Sequence, residues 1–140
     1  MRRLALISTA LALVAPAAHA DPNPTRAAYC VAALKARAEP VAQRLRGGET
    51  AAEAQLLPIV TASFAFIGTA YKQGVRSPQA DDLVKAAEQA QAKLPPSELG
   101  KVQDTCQAEG QHLLASANVF ERQFVTHAAH ARIDRLRKRS

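Results

Sequence analysis

The chain has 140 residues, 18 Lys and Arg against 12 Asp and Glu, two cysteines, a single Met and no Trp. That length builds one domain and not two. There is no Cys-x-x-Cys-His for covalent haem, no Met beyond position 1 for a Met-His haem site, no glycine-rich phosphate loop and no Gly-x-Ser-x-Gly elbow.

Met1 to Ala20 reads as a cleaved signal peptide: Arg2 and Arg3 form the basic start, Leu4 to Val14 the apolar stretch, and Ala18-His19-Ala20 the small-x-small cleavage site. Position 21 is Asp rather than Cys, so no lipoprotein anchor is indicated. The expected destination is the periplasm or the exterior. The mature chain, residues 21–140, is expected to form a single helical domain. Its 120 residues hold 25 Val, Ile, Leu or Phe and 24 Ala. Alanine favours helix locally but buries little area, so each helix offers a narrow apolar stripe and the core benefits from a covalent staple. Cys30 and Cys106 are the staple: two cysteines in an exported chain, outside any Cys-x-x-Cys motif, read as one structural disulfide. A bridged dimer and a redox pair are the alternatives.

Along the mature chain, Thr25 is expected to cap a first helix reaching Arg46, with Cys30, Ala33, Leu34, Arg37, Val41 and Leu45 on one face and a kink at Pro40. Gly47-Gly48 ends it. Thr50-Ala-Ala-Glu53 has the pattern of a capping box and opens a second helix. From Ala54 to Tyr71 there is no charge, which suits either a bilayer span or a helix buried by its neighbours; Pro58, Gly68 and the interspersed Gln, Thr and Ser favour the core helix. Ser77-Pro78 opens a third helix that ends at Pro95.

Ser97 to Arg139 is then one uninterrupted helical pattern of 43 residues. Leu99, Val102, Cys106, Gly110, Leu113, Ala117, Phe120 and Phe124 follow at steps of three or four, and the stripe drifts afterwards to Val125, Ala129, Ile133 and Leu136. A straight helix of that length would span roughly 64 Å, so its far end is expected to project or kink. The predicted fold is all-α: an irregular bundle of about four helices with a long C-terminal helix and one disulfide. Linking Cys30 to Cys106 brings the starts of the first and fourth helices together. The third helix must therefore begin and finish near one end of the bundle and cross the others.

Candidate chemistry collects in the C-terminal segment. Without Arg2 and Arg3 the mature chain has 16 cations against 12 acids, and Arg132, Arg135, Arg137, Lys138 and Arg139, set against Asp134, account for that entire excess. Residues 132–140 form a basic arm that suits anions, or complements a helix C-terminus. His127, His130 and Asp134 fall at i, i+3 and i+7, a spacing that admits a metal or a pH response. Glu109 and His112 make a Glu-x-x-His pair, but a di-iron site requires a second pair and two further carboxylates.

The functional expectation is a non-enzymatic exported helical protein that binds another protein of the cell envelope, in a chaperone, inhibitor or immunity-type role. One alternative is a binder of anionic membrane, lipid or lipopolysaccharide surfaces through the basic C-terminal helix; another is a metal-binding protein using the C-terminal histidines. No cofactor and no small-molecule substrate is indicated, and the lack of aromatics among the arm's cations disfavours nucleic acid.

Overall fold

A computed structural model describes residues 21–139. The signal segment Met1–Ala20 and Ser140 lie outside the described residues. Five helices follow in order, α1 Pro24–Arg46, α2 Ala52–Lys72, α3 Gln79–Gln91, α4 Pro96–Ser116 and α5 Val119–Arg137, and no strand occurs among the described residues.

Proline-fixed backbone and tertiary contacts move several helix starts away from their expected caps. α1 begins one residue before Thr25, because Asn23 Oδ1 accepts from the Arg26 N–H at 2.8 Å with Pro24 in the first position. Likewise α4 begins at Pro96 rather than behind Ser97. α3 begins after Pro78 and stops at Gln91, short of Pro95. The expected capping box at α2 is not formed. Thr50 contributes its backbone carbonyl to the Glu53 N–H, while the Glu53 carboxylate reaches Arg137 at 3.2 Å. A local cap is exchanged for a tie to the last helix.

α1 runs through Pro40, and α2 through Pro58, without leaving helical conformation. Each proline deprives the carbonyl four residues earlier of its donor, and those residues, Ala36 and Ala54, are exposed, so water can replace the lost bond.

The core has two parts. Cys30, Ala33, Leu34 of α1, Ile59, Ala62, Phe66 of α2 and Cys106 of α4 form the first; Ala42 and Leu45 of α1, Ala52 and Leu56 of α2, and Ile133 and Leu136 of α5 form the second. α2 belongs to both. Its length and composition would suit a bilayer, yet its Leu56, Ala62 and Phe66 are fully buried among the neighbouring helices. The Cys30–Cys106 bond crosses the first cluster within one chain, with Cα atoms 5.1 Å apart. Such a bond belongs to an oxidising compartment.

Ion pairs mark the directions of the helices. Arg37 pairs with Asp104 at 2.6 Å and Arg26 with Glu109 at 2.7 Å, so α4 runs antiparallel to α1. Lys72 pairs with Glu121 at 3.0 Å at one end, and Arg137 with Glu53 at the other, so α5 runs antiparallel to α2. The disulfide leaves α1 and α4 antiparallel because Cys106 stands at the middle of α4, opposite the second turn of α1. α3 crosses. Its Ala80, Leu83 and Val84 share a cavity with Pro24, Ala27 and Val31, and at its other end Gln91 donates to the Tyr29 carbonyl at 2.7 Å. Both ends of α3 thus meet the first third of α1.

The 43-residue pattern is divided. Ala117 and Asn118 are extended, with ψ of 154° and 170°, and Asn118 caps α5: its side chain accepts from the Glu121 N–H at 2.9 Å while Glu121 accepts from the Asn118 N–H. The helix does not project; it turns at this corner and returns along α2.

Candidate functional site

α5 reaches its place through Val125, Ala129, Ile133 and Leu136, all buried, which the sequence reads as the drifting end of a stripe. The basic arm is consequently held against the body. Its end meets the end of α1, so Arg44 and Arg46 join Arg132, Arg135, Arg137, Lys138 and Arg139 at one pole.

The acids of that pole are already engaged. Arg46 donates to Glu39 at 2.8 Å and Arg44 to Glu49 at 3.0 Å, while Arg137 binds both Glu53 and Asp134. The Arg46 hydrogen bond holds the Glu39 carboxyl below its ordinary 4.5, with help from Gln43 and the charge of Arg132. In the same way the hydrogen bond from Arg137 holds Asp134 below 3.8 and raises Arg137 itself. Arg135, Lys138 and Arg139 are exposed.

His127 and His130 are also exposed on α5, and the third member of their set, Asp134, directs its carboxylate to Arg137. Among the described residues no group of three or more His, Cys, Asp or Glu is arranged to hold a metal ion. Glu109 of the Glu-x-x-His pair is committed to Arg26.

Between α1 and α2 lies a feature with no sequence signature of its own. Two adjoining cavities of about 210 and 300 Å³ share Val31 and Ile67 and form an open apolar groove. Val60 and Phe64 line one end, under a rim of Lys35, Arg46 and Arg132 with Glu39 the single acid. α3 lines the other end, beside Tyr71, over whose ring Arg76 stacks at 3.7 Å. α1 contributes the small Ala27, Ala28, Ala38 and Ala42 to its lining, beside the larger buried Leu34, Ile59 and Phe66.

Sequence periodicity placed Phe120 and Phe124 on a buried stripe. They are instead 83% and 70% exposed, two of the chain's four phenylalanines. The missed signal is Asn118-x-x-Glu121, a capping-box pattern inside an otherwise regular run. It resets the phase. Comparison of the chain with family models, with curated proteins and with solved structures finds no match.

Proposed function

We propose that this is a non-enzymatic periplasmic or secreted protein that binds a partner protein of the cell envelope, as a chaperone, an inhibitor or an immunity-type factor. The observation that carries this reading is the apolar groove between α1 and α2, whose partly exposed Val31, Val60, Phe64 and Ile67 suit one face of an amphipathic segment. The Lys35, Arg46 and Arg132 rim favours acidic residues at the end of that segment. Export is supported by the leader-like start and by the disulfide. The non-enzymatic reading is supported by the engagement of Glu39, the one carboxylate lining the groove, with Arg46.

A photoreactive residue replacing Ser63 in the groove, compared in the producing cell with one replacing Lys101 on the far side of α4, tests it. A discrete protein adduct at position 63 alone is expected. No adduct, or the same adducts at both positions, refutes the groove as the binding site.

A second reading is favoured by the gathering of seven cations at one pole: association with anionic membrane or lipopolysaccharide surfaces through the C-terminal helix.

A further inference from the structure

α5 carries two opposed stripes. At about 100° per residue, Val125, Ala129, Ile133 and Leu136 gather on one side, and these are the residues buried against α1 and α2. Phe120, Phe124, His127, Ala131, Arg135 and Lys138 gather on the opposite, outward side. The outer stripe is graded, with bare aromatics in its first half and cations in its second. Val119, 56% exposed, widens the apolar half. One acid, Asp134, lies on this face, a turn beyond Ala131, and it is held by Arg137; the other acid of α5, Glu121, lies to the side and is held by Lys72. Nothing among the described residues covers the two phenylalanines, and such a pair is uncommon on a surface without a use.

We propose that this outer stripe is a membrane-contacting face, with Phe120 and Phe124 as anchors between the lipids of an anionic bilayer and Arg135 and Lys138 as contacts to their headgroups. The stripe is about 27 Å long and convex. A helix lying flat in the interface sinks its apolar residues by several ångströms and sets its cations against phosphates, and that requires aromatics and basic residues on one face. An acidic protein would satisfy the cations but would need a concave apolar seat for two neighbouring rings. The bilayer needs none. The inference rests on the anionic-surface reading and adds the anchors to it.

The test uses the oxidised mature chain and sedimentation with vesicles, either pure phosphatidylcholine or equal parts phosphatidylcholine and phosphatidylglycerol. The wild type is expected to sediment with the anionic vesicles only, less so as salt rises. Arg135→Gln with Lys138→Gln should weaken binding about thirtyfold, at roughly 1 kcal/mol per cation. Phe120→Ser with Phe124→Ser should weaken it by at least about tenfold. All four side chains are exposed, so both double variants should keep the wild-type melting temperature. The chain has no Trp, so Phe124→Trp supplies a single reporter whose emission should shift to the blue on anionic vesicles. If the cation variant loses binding while the serine variant binds normally and the emission of the indole reporter stays put, the anchors are refuted and the surface reading stands. If the wild type ignores anionic vesicles, both fall.

Discussion

Gly110→Ala would test a close approach of α4 to α2. A Cβ built there would lie 2.7 Å from the Ala62 Cβ, 2.8 Å from its carbonyl oxygen and 2.9 Å from its Cα, where ordinary contact begins at 3.4 Å. α4 would have to retreat from α2 by about 0.7 Å, the difference between 3.4 and 2.7 Å. The atoms in the way belong to the α2 backbone or its first side-chain carbon, so no rotamer relieves them. Retreat is also opposed one turn earlier, where Cys106 is bonded to Cys30. Overpacking of this kind costs about 1–3 kcal/mol, and replacing a helix-interior glycine by alanine returns about 1 kcal/mol. The net loss is roughly 1–2 kcal/mol at the upper part of that range, which in a domain of this size lowers the melting temperature by roughly 5–10 °C. Gly100→Ala in the same helix is the control, since its Cβ would meet nothing within 4 Å. There the propensity gain stands alone, about 1 kcal/mol of stabilisation. Thermal melts of the two variants should move in opposite directions. If both rise together, α4 does not approach α2 at Gly110 and the packing argument fails.

Asn118→Ala removes the cap of α5 and should cost about 1 kcal/mol, read as a lower urea midpoint; an unchanged midpoint would show that the corner is held by packing alone. Cys30→Ser with Cys106→Ser opens a closure of 76 residues and should cost up to about 4.5 kcal/mol. A denaturant curve for the double variant that overlays the oxidised wild type would contradict that. Acid should destabilise the fold. The carboxyls of Glu39, Glu121 and Asp134 are held below their ordinary 4.5, 4.5 and 3.8 by hydrogen bonds from Arg46, Lys72 and Arg137 respectively. Carboxyls depressed in the folded state stabilise it fully above their unfolded values, and that stabilisation is lost as pH falls through 4.5 and 3.8 toward the lower folded values. Melting temperature against pH should bend downward in that window, and Glu39→Gln should make the bend shallower; an identical profile in the variant would remove Glu39 from the account.

Where a helix depends on its own residues, the sequence shows it. The stripe of Cys30, Leu34, Val41 and Leu45 and the bond to Cys106 follow from spacing and compartment; α3 does cross, but not for the reason expected, since Cys106 stands mid-helix and the starts of α1 and α4 stay apart. Helix starts were less legible, because Glu53 could serve either its own N-terminus or a distant arginine, and the choice depends on where α5 lies. The corner was hidden for a different reason. Leu113, Ala117, Phe120 and Phe124 keep helical spacing across a break, so periodicity alone could not detect it, whereas the polar pair Asn118 and Glu121 could. The groove had no local signature at all, since its lining is drawn from α1, α2, α3 and α5 and depends on how those helices meet.

The corner at Ala117-Asn118 also bears on how α5 comes to lie against its own α2. The covalent loop closes at Cys106, so α5 lies outside it, attached only through the second half of α4. Because the spacing on either side of the corner is compatible with continuous helix, straightening it would carry α5 away from its own α2 and leave Val125, Ala129, Ile133 and Leu136 to seat on a second copy. Every contact in such an exchanged dimer would repeat one of the monomer's, and only the hinge would differ. Reducing agent would not separate it, since the disulfide stays within each chain. The reciprocal cap of Asn118 and Glu121 is the local interaction that such a straightening would have to break.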